Sequence, residues 1–172
     1  MKTDKQFGLI IGRFQPPCLH HLQFINQVIK SGIKKLLIGI GDAGVIDDKN
    51  FLTAKQVESL LIPNLNILNF PYELKIIPDI HNPPKYANHV KTFFKIINES
   101  NTCLFTDNNY TSDCFINYGH NFEIITPKIL PIRATNIRQL IYINNPKWHS
   151  LVPINVVDFI TNNKPKFGKI TL

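Results

Sequence analysis

Two short segments hold residue types suited to gripping phosphate. The first is Gly12-Arg13-Phe14-Gln15-Pro16-Pro17-Cys18-Leu19-His20-His21. Gly12 lets the backbone turn sharply or lets a ligand come close, and Pro16 and Pro17 stiffen the loop. Arg13 offers a planar fork suited to phosphate. His20 and His21 are expected at a helix N-terminus, where free amides and the helix dipole already favour an anion. The plain alternative is a proline-rich turn with a capping histidine. The second segment is Ile132-Arg133-Ala134-Thr135-Asn136-Ile137-Arg138. Thr135 can cap a helix that starts there, and Arg138, about one turn in, points its fork along the same face. The plain alternative is a surface helix with ordinary charges.

The arginine count favours the phosphate reading of both. The chain carries 19 Lys and Arg residues, and only Arg13, Arg133 and Arg138 are arginines. All three fall in these two segments. Arginine is the residue that grips phosphate with two parallel hydrogen bonds, and lysine does not replace it there.

The elements that must position these segments alternate. Phe7 to Gly12, Lys35 to Ile40, Leu74 to Ile77, Cys103 to Thr106 and Phe122 to Thr126 read as short apolar strands. Helical spacing links Leu22, Ile25, Val28 and Ile29, with Ser31-Gly32 as the stop. It also links Val57, Leu60 and Leu61, where Pro63 is expected to end the helix. Val90, Phe93, Phe94 and Ile97 make a third helical face. Ile137, Leu140 and Ile141 make a fourth, and Val156, Val157, Phe159 and Ile160 a fifth. Continuous apolar strands between helices predict an α/β fold: a Rossmann-like, doubly wound, parallel five-stranded sheet with helices on both faces. Ligands of such sheets bind beyond the carboxyl ends of the strands, where the strand order reverses. Both phosphate segments come after strand ends.

Composition bounds the rest. A chain of 172 residues suits one domain, 1–172, with a core over about 7–160 and a loose polar tail from Asn162. At 44% hydrophobic and 18% charged residues, a largely disordered chain is excluded. No apolar run approaches the ~20 residues of a membrane span, and Phe7 to Gly12 is too short for a signal peptide. Cys18, Cys103 and Cys114 have no metal-type spacing and form an odd set, so a reduced, cytoplasmic protein is expected. The net charge of +7 favours anionic partners. The lysines are scattered, without the aromatic-basic patch that nucleic acid would need. The partners expected are therefore small nucleotides, with no nucleic acid and no membrane. A homo-oligomer is left open.

The residues also carry a family resemblance. Gly12-Arg-Phe-Gln-Pro16, with His21 five residues on, resembles the opening of the HxGH nucleotidyltransferases, and more narrowly the archaeal-type nicotinamide mononucleotide (NMN) adenylyltransferases, which read GRFQPxHxGH. Cys18 stands at the first His of that motif, His20 at its Gly, and His21 at its second His. Thr135, Ile137 and Arg138 match the family's ISxTxIR, with Arg133 where Ser is usual. Asp79 and Asn82 resemble its nicotinamide pocket, and Tyr86 stands where a stacking Trp is expected; an aromatic ring can still stack on a pyridinium. Asp107-Asn108-Asn109 resembles a loop near the adenine, and Trp148 to Pro153 a structural WxxLVP. The resemblance covers residues 7 to about 160.

It implies transfer of AMP from ATP to NMN, giving NAD and pyrophosphate, with Mg²⁺ accompanying ATP and no metal ligand among the named residues. The nucleotides bound are then ATP, NMN and NAD. It assigns Gly12, Arg13, His20, His21, Thr135 and Arg138 to the ATP phosphates, with His21, Arg13 and Arg138 as the catalytic set. Asp79, Asn82 and Tyr86 fall to NMN. A thiol at a helix N-terminus is open to ionisation, which would repel phosphate. Cys18 therefore keeps a second reading in play, a catalytically impaired homologue that binds ATP or NAD as a regulator. A third is a related nucleotidyltransferase with another phosphate substrate. Some relatives carry an attached Nudix hydrolase domain, for which 172 residues leave no room.

Overall fold

The computed structural model describes residues 2–128 and 133–163. Five strands and six helices run in the order β1 (Phe7–Gly12), α1 (Leu19–Ile29), β2 (Lys35–Asp42), α2 (Ala54–Ile67), β3 (Tyr72–Pro78), α3 (Pro83–Phe93), β4 (Thr102–Phe105), α4 (Asn109–Ile116), β5 (Glu123–Ile125), α5 (Ala134–Tyr142) and α6 (Ile154–Asn163). A 3₁₀ turn over Pro146–Leu151 joins the last two helices.

All strand pairs are parallel, and the order across the sheet is β3-β2-β1-β4-β5. The order reverses between β1 and β4, and a crevice opens where connections leave a sheet in opposite directions. Side chains alternate across each strand. Leu9, Leu37 and Leu104, aligned in register, pack with Ile77 against α3 and α4 through Val90 and Phe115. Ile10, Ile38, Cys103 and Phe105 point the other way, onto α1, α2, α5 and α6 through Val28, Leu61, Ile137 and Val156. The expected helices on both faces of a parallel five-stranded sheet are present.

Three local expectations differ. Pro63 lies inside α2, which runs on to Ile67. Proline deletes one helical hydrogen bond, but Leu65 two residues later is buried in the core, and the Asn64 amide donates to Leu60 O and to Asn155 Oδ1 on α6. Tertiary packing outweighs the break. In α3 the helix stops at Phe93, so Phe94 and Ile97 are buried from the next turn rather than from a helical face. At the chain end, Asn162 and Asn163 belong to α6; the polar tail from residue 164 lies outside the described residues.

Candidate functional site

The connections leaving β1, β2 and β4 converge on Gly12 at the end of β1. Two clefts meet there. One, of about 440 Å³, is walled by Arg13, Asp42, Asp79, Tyr86 and Tyr110. The other, of about 260 Å³, is walled by Phe14, His20, His21, Asp107, Arg133 and Thr135. Ile11, Gly12 and Asn108 belong to both. A Cβ at Gly12 would come within 3.3 Å of the Phe14 ring, so a side chain there would crowd the junction.

The second cleft is built by the start of α1. Cys18 is its N-cap, with extended backbone angles, and His20 and His21 occupy the first turn as expected. The Cys18 amide donates to His21 Nδ1 at 3.1 Å, and Cys18 Sγ lies 3.1 Å from the same nitrogen. Phe14 presses against the His21 ring edge-on, with centroids 5.0 Å apart. Burial, reinforced by the neighbouring His20, lowers the His21 pKa to about 3. The imidazole is therefore neutral at physiological pH. With Nδ1 accepting, its proton sits on Nε2, which makes it a neutral donor.

Burial also lowers the His20 pKa, against the pull of Asp107. His20 Nδ1 is buried and has no hydrogen-bond partner among the described residues. Cys18 is fully buried, and burial pushes its thiol up to about 11. The ionisation open to a thiol at a helix N-terminus does not occur: desolvation outweighs the dipole. Cys18 walls neither cleft.

α5 supplies the far wall. Its N-cap is Arg133, not Thr135: the Arg133 amide donates to Asn136 Oδ1 at 3.1 Å, and Thr135 is the second helical residue. The Arg133 guanidinium pairs with Asp107 across the cleft. Arg138 itself walls neither cleft. It donates from Nη1 to the Gln15 carbonyl at 2.8 Å and from Nη2 to Thr135 Oγ1 at 3.0 Å.

In the first cleft, the Arg13 guanidinium is 3.4 Å from Asn50 Oδ1. Asp79 accepts from the His81 amide at 2.9 Å. Tyr86 packs edge-on against Phe115; burial, then the Asp79 charge, pushes its phenol up to about 12. Asn82 does not join Asp79 and Tyr86 on the cleft wall. It caps α3 with its backbone, the carbonyl accepting from Lys85 N.

Sequence reasoning missed Gln15 and Tyr110. Gln15 is buried and its amide clasps the Leu52 backbone, accepting from Leu52 N at 3.0 Å and donating to Leu52 O at 2.7 Å. It ties the β1–α1 connection to the β2–α2 connection. Its place inside the first phosphate segment was the only signal for it. Tyr110 sits on α4, an element the periodicity did not expose.

A parallel five-stranded sheet with helices on both faces, and with cationic and imidazole groups gathered at its switch point, defines a Rossmann-like α/β protein. No protein-family model matches the chain. It is 31% identical over 163 residues to the nicotinamide-nucleotide adenylyltransferase of Thermococcus sibiricus, covering 91% of this chain and 84% of that one. Among solved structures it resembles a bifunctional NMN adenylyltransferase/ADP ribose pyrophosphatase from Francisella tularensis, at TM-score 0.74 and 20% identity over 93% of this chain. The same bifunctional protein complexed with AMP and a manganese ion aligns at TM-score 0.68, with 20% identity over 92% of this chain. The chain spans about half the length of those two structures, 51% and 50%. It belongs to the nicotinamide-nucleotide adenylyltransferase family.

Proposed function

We propose that this chain transfers AMP from ATP to NMN, releasing pyrophosphate and forming NAD. The observation that carries the reading is the neutral His21 Nε2–H at a helix N-terminus, in a cleft that shares its floor with a second cleft walled by Tyr86 and Asp79. The phosphate of NMN is already an anion, so no general base is required. Its oxygen bonds to the α-phosphorus of ATP, the bond from that phosphorus to the bridging oxygen breaks, and pyrophosphate leaves. Catalysis is then positioning and charge stabilisation.

In this reading His21 donates to the α-phosphate without first losing or gaining a proton. Arg13 walls the first cleft with Asp79 and Tyr86 and steadies the incoming phosphate. Thr135 and the amides of Gly12 and the α1 start receive the triphosphate, and Arg138 holds that wall against the first loop. His20 walls the same cleft as His21 and brings a second imidazole to it, in place of the one that the family has at position 18. Tyr86 stacks on the nicotinamide ring and Asp79 offers its amide an acceptor; Asn82 contributes through the backbone of the α3 start. One domain carries both subsites. The three cysteines, all free, fit a reducing compartment such as the cytoplasm.

Mg²⁺ enters with ATP in this scheme and supplies neutralisation of the triphosphate charge. The donor set suits an ion that travels with its nucleotide. Among the described residues no three His, Cys, Asp or Glu side chains gather to hold one, and Asp107 is engaged by Arg133.

The test is pyrophosphate release from ATP, Mg²⁺ and NMN, with His21→Ala as control. Release that disappears in the variant supports the transferase. No release from the wild-type protein, with ATP or NAD still shifting its melting temperature, overturns it in favour of a nucleotide-binding regulator. Nicotinate mononucleotide and pantetheine phosphate in the same assay separate the remaining phosphate acceptors.

A further inference from the structure

The cysteine at the family's first motif histidine has a different task here. Cys18 is fully buried and walls neither cleft. Its backbone nitrogen and its Sγ both lie 3.1 Å from Nδ1 of His21. An amide N–H can only donate, so Nδ1 offers its lone pair and the ring proton is on Nε2. At the same distance from that lone pair, the sulfur is favourably placed only as an S–H donor; two facing lone pairs would repel. The Phe14 ring edge holds the imidazole from a second side.

We propose that Cys18 is a positioning residue whose thiol, together with its own amide, clamps His21 in the Nε2–H tautomer and fixes the ring angle at which that donor faces the phosphate cleft. The catalytic part of the inference rests on the reading of His21 as donor to the α-phosphate. The tautomer part stands on the geometry alone. The substitution at position 18 thus converts a residue that would touch phosphate into one that acts through its neighbour. A serine can take over the task, because its hydroxyl donates from nearly the same place. An alanine leaves the amide as the sole donor.

Long-range proton–nitrogen spectra of ¹⁵N-labelled protein report the tautomer of each histidine. Wild-type protein and Cys18→Ser are expected to show His21 as Nε2–H with the same Nδ1 resonance, and Cys18→Ala, left with the amide as sole donor, to show a shifted and broadened Nδ1 resonance. In steady-state assays Cys18→Ala is expected to lower kcat about two- to tenfold, the kinetic equivalent of one neutral hydrogen bond. KM for ATP and NMN should stay within about twofold, and Cys18→Ser should recover most of the rate. A wild-type His21 that is protonated on Nδ1 overturns the proposal, even if the alanine variant fails to fold. So does a serine variant no better than alanine, or an alanine variant with wild-type rate and spectrum. The spectra need no substrate. A tautomer clamp with no pyrophosphate release would sink the transferase reading and leave the clamp in place.

Discussion

Arg138 reaches across 123 positions of the chain to the backbone carbonyl of Gln15, at 2.8 Å, while its other terminal nitrogen holds Thr135 Oγ1 at 3.0 Å. One guanidinium thereby locks the start of α5 against the loop that leads into α1. A lysine has a single nitrogen and cannot span both acceptors in plane.

Arg138→Lys is therefore expected to lower kcat/KM for ATP about tenfold, roughly the worth of the one charge-assisted hydrogen bond that lysine cannot keep. Its chemical-denaturation midpoint should move little, because the Arg138–Thr135 contact is exposed. Parallel measurements of pyrophosphate release and urea unfolding decide this. A variant that loses stability and activity in proportion would make Arg138 a structural residue only.

Gln15→Ala removes both hydrogen bonds to the Leu52 backbone. Leaving two buried backbone groups without partners costs about 1–3 kcal/mol each. Unfolding in urea should register a loss of about 2–6 kcal/mol for the two together, with an unchanged m-value. KM for ATP should rise as the loop loosens. A variant as stable as wild type would mean water replaces the amide there.

Stability should depend on pH through groups whose folded pKa values differ from their ordinary ones. Burial lowers His21 from 6.5 to about 3, so the unfolded chain binds its proton first. Its contribution is complete above pH 6.5 and is lost as pH falls toward 3. Glu99, held down to about 2 chiefly by the Lys91 hydrogen bond, adds a loss that begins below 4.5. Cys18 acts at the other end: its thiol, raised from 9.0 to about 11, costs stability as pH climbs through that interval. Urea midpoints measured from pH 4.5 to 7 should fall with acid, and His21→Gln should have a shallower slope. An unchanged slope would mean His21 titrates normally.

Tyr86→Ala is expected to raise KM for NMN about 3- to 30-fold, the worth of one aromatic face on a cation. KM for ATP should stay constant, since Tyr86 walls only the first cleft. Tyr86→Trp should retain or tighten NMN binding. Equal effects of the alanine variant on both substrates would remove Tyr86 from the nicotinamide subsite.

β1, β2 and β4 were readable because each is a short, largely buried apolar run, and the helices over Leu19–Ile29, Ala134–Tyr142 and Ile154–Asn163 because their buried residues recur at helical spacing. α4 was not: in Asn109–Ile116 only the neighbours Cys114 and Phe115 are buried, and two adjacent positions have no period. Arg13, His20, His21 and Arg133, which wall the clefts, were legible through residue type, since arginine and histidine advertise their chemistry. Gln15 was not, because it works through its carbonyl and through a partner 37 residues away. Asn82 was singled out by its type, whereas its visible contact is made by its backbone, which caps α3 off the cleft wall.

The two clefts share Ile11, Gly12 and Asn108 as a common floor. A dinucleotide formed across that floor is a tethered pair of ligands, each half raising the local concentration of the other at its own subsite. It should leave more slowly than either mononucleotide, because both halves must detach together. NAD should therefore compete with ATP and with NMN at once, and so restrain its own synthesis through nothing more than the narrowness of one strand's end.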